Sequence, residues 1–295
     1  MIDYIRLRLD RQEYFGEFNN PERYNLKQQV NLATGEMRNL YLGDYDRMRI
    51  EINPVSIIVR GSLHKYYNYS FHNEEQNHSD FTLNQLTAAI KRLSERLKFE
   101  PEDAIIQNIE FAVNIELSCN VRSFLHNNLL MMNGDEVSQI KDYGDLGLLK
   151  RFEYANYEIK VYDKGSQYQL NKNLLRLEIK TRRSTFVTGK NKWSLNDLVR
   201  PEILNGLREK LIKQVNKLWI FDDMSNVSYE NEKDEKALLE FTNPNYWKQR
   251  NSGKRNTTYY TRVDKFKDLM AKYDLDNLKK EILEKVAKKS LELIN

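Results

Sequence analysis

Cysteine is almost missing from this chain: Cys119 stands alone. A lone thiol excludes a disulfide framework and a zinc site built from several thiolates, and it fits a reducing cytoplasm. Long apolar runs are missing too. No stretch approaches the roughly 18 uninterrupted apolar residues of a membrane helix. The opening Met1-Ile2-Asp3-Tyr4-Ile5-Arg6 is strand-like and charged, unlike the apolar segment of a signal peptide. The expectation is a soluble intracellular protein with no membrane partner. Net charge is only +4 and aromatics reach 11%, which excludes a disordered chain. With 295 residues, 40% of them hydrophobic, the chain can bury a sizeable core as one large domain or two ordinary ones.

The distribution of charge says more than its sum. Residues 1–170 carry a net −5, residues 171–220 a net +8 and residues 244–295 a net +6. An acidic first part joined to basic later segments points to a polyanion whose contacts concentrate in those segments. Lysines on the last helix read equally well as solvated surface. Arg182-Arg183, just past a strand, fit that bland reading less well.

Hydrophobic periodicity divides the chain. Ile2–Leu9, Tyr24–Leu32, Met48–Ile52 and Ser56–Val59, the last continuing extended to Tyr67, read as strands among turns at Gly35, Gly43 and Asn53-Pro54. A polar loop follows to Asp80. Thr82–Leu97 is an amphipathic helix with Thr82 as N-cap. Ala104–Leu117 is a long strand and Val121–Met132 a second helix, and Arg151–Tyr162 and Leu174–Lys180 are strands. From Pro201 the pattern is helical: Pro201–Trp219, Lys233–Phe241, Val263–Tyr273 and Leu275–Ile294, with a basic loop Asn251–Thr257. The fold class expected is α+β, a mostly antiparallel sheet backed by helices, with a domain at 1–190 and a helical basic segment at 191–295.

Four segments hold the candidate chemistry. Tyr162 ends the alternating run Tyr157–Tyr162 and precedes Asp163-Lys164-Gly165. That places a phenol beside a cation, and a cation favours the phenolate of a group whose pKa is otherwise about 10. The alternative is a half-buried strand tyrosine beside a solvated lysine. Glu110 lies mid-strand on the face of Ile106, Asn108, Ala112 and Asn114, where a buried carboxylate needs a partner. A solvent-facing Glu110 is the competing reading. Glu51 ends a strand, and His64 lies in Gly61-Ser62-Leu63-His64-Lys65. His72, His78 and His126 read as surface.

In their order these segments resemble the replication initiators of filamentous phages, the gene two protein family, with relatives in other bacterial phages and plasmids. The resemblance rests on Met1-Ile2-Asp3, the Gly61–His64 segment before an amphipathic helix, Ile109-Glu110 on a strand, the Tyr162 strand, and Leu175–Lys180 followed by basic residues. It covers roughly residues 1–190. It implies a cytoplasmic enzyme of a bacterial host that nicks one strand of a duplex origin and stays joined to the 5′-phosphate through a tyrosine. By position that nucleophile is Tyr162. The enzyme later rejoins the displaced strand and works beside a host helicase or polymerase. The wider superfamily holds its metal with a His-hydrophobic-His (HUH) pair and an acidic residue. Here Ser62-Leu63-His64 lacks the first histidine, and Glu110 stands where Asp is common.

The resemblance therefore implies His64 and Glu110 as ligands of Mg²⁺ or Mn²⁺, with Glu51 as first substitute for the missing ligand and Glu178 as second. Oxygen-rich shells suit those ions better than zinc. Lys164 would stabilise developing charge. Lys65, Arg176, Lys180, Arg182, Arg183, Lys254 and Arg255 would contact duplex, single-stranded or hairpin DNA. Tyr66 and Tyr67 are candidates for base stacking or for core. A mobilisation relaxase, a single-strand transposase and a non-catalytic origin-binding protein are the rival readings.

Overall fold

The computed structural model describes residues 1–250 and 257–295. Ten strands form one sheet, in the order β2-β3-β4-β5-β1-β6-β11-β10-β9-β8, and every pairing in it is antiparallel. The strands are β1 (Ile2–Asp10), β2 (Lys27–Val30), β3 (Met37–Tyr45), β4 (Met48–Ile52), β5 (Ser56–Ser62), β6 (Ile105–Glu116), β8 (Gln139–Asp142), β9 (Leu148–Glu153), β10 (Tyr157–Asp163) and β11 (Leu174–Thr181). Two further strands, β7 (Leu129–Met132) and β12 (Leu218–Ile220), pair with each other.

The sheet has one apolar and one polar face because its strands alternate in register. Ile5, Leu7, Ile50, Val59, Ile109, Phe111, Val113, Leu177, Ile179, Ile159 and Val161 are buried in a single cluster. That cluster also holds Tyr14 and Phe18 of the helix Arg11–Phe18, Leu86 and Leu93 of Leu83–Leu97, and Leu204 and Leu211 of Pro201–Val215. The helices thus back the apolar face. The opposite face carries arginines, lysines and glutamates.

The expected α+β class and antiparallel sheet are what the chain adopts. Helix Leu83–Leu97 has the expected cap: Thr82 accepts from the Gln85 amide, and the Gln85 side chain accepts from the Thr82 amide. Other elements differ. Residues Leu63–His72 are helical, because the Ser62 side chain caps them by accepting from the Lys65 amide. Of the helix expected at Val121–Met132 only the first part forms, an α-helical turn at Val121–Ser123 running into a π-helical one at Phe124–Asn128; Leu129–Met132 is β7, which β12 claims as a partner. Arg151–Tyr162 is a hairpin, since Tyr154 donates its amide to the Tyr157 carbonyl and folds β9 back on β10. The loop residues Lys254 and Arg255 lie outside the described residues.

Two cores share the helices unequally. The sheet's cluster takes in Leu195, Leu198, the helix Pro201–Val215 and, from the C-terminal helix Asn277–Glu292 and its end, Ile282, Val286, Leu293 and Ile294. The boundary expected at residue 190 runs through this core. A second, aromatic-rich cluster joins Met131 of β7 to Leu238, Phe241, Trp247, Tyr259, Phe266 and Met270.

Candidate functional site

Three strands set the site in rows. Across β10, β11 and β6, Tyr162 stands opposite Arg176, which stands opposite Asn114. The next row is Lys160, Glu178 and Ala112, and the one after is Glu158, Lys180 and Glu110. Residues directly opposite in antiparallel strands share a face, so these side chains meet. The methyl of Ala112 leaves room beside Glu178.

Glu178 is the hub, and it is almost wholly buried. Its carboxylate accepts from Lys160 Nζ at 2.7 Å, Arg176 Nε at 3.1 Å and the Tyr162 hydroxyl at 3.2 Å. Burial works against its charge, but Lys160 and Arg176 outweigh burial and hold the carboxyl far below the usual range. Arg176 reaches further, to Asp3 and, at 3.1 Å, to Asn114 Oδ1. Asp3 also accepts from Ser62 Oγ and from Asn77 Nδ2, the latter at 2.9 Å. Neither Asp3 nor Asn77 was among the expected site residues. Asp3 had a signal, as a carboxylate among Ile2, Tyr4 and Ile5 at the start of β1. Asn77 had none, because its partners lie 74 and 87 residues away in sequence.

Tyr162 is half-buried and lines a cavity of about 360 Å³ with Lys160, Glu178, Arg151, Tyr143 and Gln167. Its pKa moves opposite to the phenolate expected from the sequence. Burial and the Glu178 charge raise it well above 10, and Arg176 does not compensate. The resting group is a neutral phenol held as a hydrogen-bond donor. Lys164 does stand beside it, although β10 ends at Asp163, whose side chain caps the next turn by accepting from Ser166. Lys164 Nζ lies 5.5 Å from the centre of the Tyr162 ring and 4.8 Å from that of Tyr168, and donates to Asn77 Oδ1 at 2.7 Å. It faces the ring rather than the hydroxyl. Burial, reinforced by Arg176, lowers its pKa to about 7. Gly165 is required here because a Cβ would collide with the Lys172 carbonyl.

The other expected residues divide. Glu110 is buried and paired, with Lys180 at 2.7 Å and Lys160 at 3.8 Å. Burial and Glu178 still raise its pKa, to about 7. His64 is buried by the Asp3 end, stacked on Phe81 at 4.7 Å, its Nε2 3.1 Å from Ser79 Oγ. Burial lowers its pKa to about 3, so it stays neutral. His78 is half-buried against Tyr168 rather than on the surface. Glu51 lies on β4, three strands from β6. Lys65 is half-buried on its helix, and Arg182 and Arg183 are exposed, Arg182 paired with Glu153 and Glu158. Arg176 is consumed by the buried network and unavailable to a phosphate. Tyr66 is core, and Tyr67 packs against Phe71 and Phe81.

These positions do not fit the divalent metal implied by the resemblance. The three ligands named for it, His64, Glu110 and Glu51, do not converge, and Glu110 is engaged by two lysines. Among the described residues no three His, Cys, Asp or Glu side chains are grouped as a metal ion would need.

No family model and no curated protein matches the chain. Among similar solved structures is that of the rolling circle replication initiator protein from Geobacillus stearothermophilus. It is 11% identical over 79% of this chain and 89% of its own, with a TM-score of 0.42. A likeness at that level carries no functional argument. Among the described residues no helix is long and apolar enough to cross a membrane.

Proposed function

We propose that this chain nicks and rejoins DNA through a covalent tyrosine and so initiates rolling-circle replication. One observation carries the reading: Tyr162 Oη, on the wall of an open cavity, lies 3.2 Å from a buried carboxylate that is itself 2.7 Å from a lysine ammonium. A phenol whose pKa is raised does not ionise in advance. Its proton must leave as it attacks, and Glu178, hydrogen-bonded to it but held far below the usual carboxylate range, can only relay that proton onward to Lys160. In the proposed step Tyr162 Oη bonds to phosphorus and the bond from phosphorus to O3′ breaks. The phenol proton passes to Glu178. Lys160 gives a proton to the departing O3′ and regains one from Glu178. Rejoining reverses these transfers when another 3′-hydroxyl occupies the cavity. No step is routed through a metal ion. The ordered motifs shared with the filamentous-phage initiators support the choice of DNA as substrate.

The test is incubation with a labelled hairpin oligonucleotide library, read as covalent adduct on a denaturing gel, with Mn²⁺ in one arm and excess chelator in the other. Wild type is expected to form an adduct, and Tyr162→Phe to lose it by a factor on the order of 10³ or more. An adduct that survives in the phenylalanine variant transfers the role to another tyrosine. The tethered, un-ionised phenol favours one second reading, a non-catalytic origin-binding protein. Duplex binding by the wild type with no adduct on any probe would establish that reading instead. The chelator arm reads metal dependence separately.

A further inference from the structure

The polar face continues past the tyrosine network onto β1, β5 and β4, and there the register assembles something no single segment reveals. Arg49 stands directly opposite Arg60, and Arg60 directly opposite Arg6. Three guanidinium groups therefore form a row across adjacent strands on one face. Like charges directly opposite each other in a sheet are destabilising. Little in the protein offsets them. Arg60 makes no ion pair among the described residues, Arg6 donates only to the Gln107 amide at 3.0 Å, and Arg49 meets Asp44 at 3.9 Å with both side chains largely in solvent. Arg49 and Arg60 line a trough of about 390 Å³. Asp44 and Glu51 line it too, yet neither pairs with Arg60.

We propose that the Arg49–Arg60–Arg6 row is a track for a single strand of nucleic acid, which lies across the sheet and is led toward Tyr162. Only the destination rests on the reaction proposed above; the track itself rests on register and charge. Strands are spaced about 4.8 Å apart, so the row offers three cations within about 10 Å. One strand of a stacked helix advances about 3.4 Å per phosphate along its axis and a freer single strand spaces its phosphates more widely, so about two to three phosphates meet the row. From Arg6 the face leads on through Lys180 to Lys160 and Tyr162. Lys180 Nζ sits 5.4 Å from the centre of the half-buried Tyr4 ring, so an aromatic surface accompanies the cations, as in sites that hold single strands.

The experiment is a salt titration of binding to fluorescein-labelled oligothymidylate, followed by anisotropy, for the full chain and for the triple variant Arg6→Gln, Arg49→Gln, Arg60→Gln. Each phosphate contact to a single strand contributes about 0.7 to the slope of log affinity against log salt, so the variant's slope should be shallower by about 1.4–2. Arg60→Gln alone should lose about 0.7 and serves if the triple variant does not fold. An unchanged slope in a folded variant overturns the track. So does equal displacement of the oligonucleotide by polyglutamate of matched charge, which would mark a general anion patch. Tyr162→Phe separates the two proposals: it should abolish adduct while leaving this slope as in the wild type. Adduct that depends on Tyr162, beside a slope insensitive to the arginines, sinks the track and keeps the reaction. The converse result sinks the reaction and keeps the track.

Discussion

The two halves of one sheet face handle charge in opposite ways. On β6, β11 and β10 the charges are buried and answer one another: Arg176 with Asp3 and Glu178, Lys160 with Glu178, Lys180 with Glu110. On β4, β5 and β1 the aligned Arg49, Arg60 and Arg6 are alike in charge, exposed or half-buried, and lack close acidic partners. Burying ions costs several kcal/mol each and is only partly repaid by pairing, so the first half spends its charges on holding one arrangement. The second half leaves its charges available to a ligand. A basic surface and a basic composition are therefore different things here. The acidic first 170 residues supply the open arginine row, while Arg176, from the basic stretch, is locked inside.

The largest break in this comparison should come from cutting the chain after Asp223. The C-terminal helix would go, and with it Ile282, Val286, Leu293 and Ile294 from the main core. Leu293 also lines the small cavity shared by Asp3, His64 and Arg176. The shortened chain is expected to lose cooperative unfolding, measured by circular dichroism in urea. A cooperative transition near the wild-type midpoint would show that the tail is dispensable to the buried half. Smaller, but more local, is Arg176→Ala. It leaves Asp3 and Glu178 buried without their shared cation and should destabilise by about 3–5 kcal/mol. Arg60→Ala, in the open half, should stay within about 0.5 kcal/mol. Equal urea midpoints for the two variants would erase the distinction between the halves.

How much of this could be read from the residues alone follows from the range of each interaction. Glu110 was legible as a partnered carboxylate because strand alternation places it on the polar face beside Ala112 and Asn114. Lys164 beside Tyr162 was legible because the two are close in sequence. The direction of the Tyr162 shift was not, because Glu178 reaches it across the register of β10 on β11. The arginine row was invisible for the same reason: Arg6, Arg49 and Arg60 belong to three segments, and segment charges do not say which strands become neighbours. The helix expected at Val121–Met132 stops at Asn128 because β12, nearly ninety residues on, draws Leu129–Met132 into a sheet. Asn77 lies in a loop whose polar composition reads as solvent.

A change smaller than that of Arg176→Ala is expected in the pH dependence of the buried half, and its sign is fixed by Glu110. Burial and Glu178 raise its folded pKa from the ordinary 4.5 to about 7, so between those values the folded chain binds more protons than the unfolded chain. This contribution to stability is present below about pH 4.5 and is lost as pH rises through about 7. His64 acts in the other direction. Burial lowers its pKa from 6.5 to about 3, so the unfolded chain binds the extra proton and stability rises with pH over that window. The two slopes overlap in the wild type and partly cancel. Glu110→Gln removes only the first, so the difference in unfolding free energy between wild type and variant isolates it. That difference should move against the wild type by about 1–3 kcal/mol from pH 4.5 to 7.5. Urea titrations of both proteins at several pH values read it directly. A difference that does not change with pH would mean that Lys180 and Lys160 neutralise Glu110 fully. The carboxylate would then be an ordinary ion pair, and the buried half would hold its charges at no greater cost than the open one.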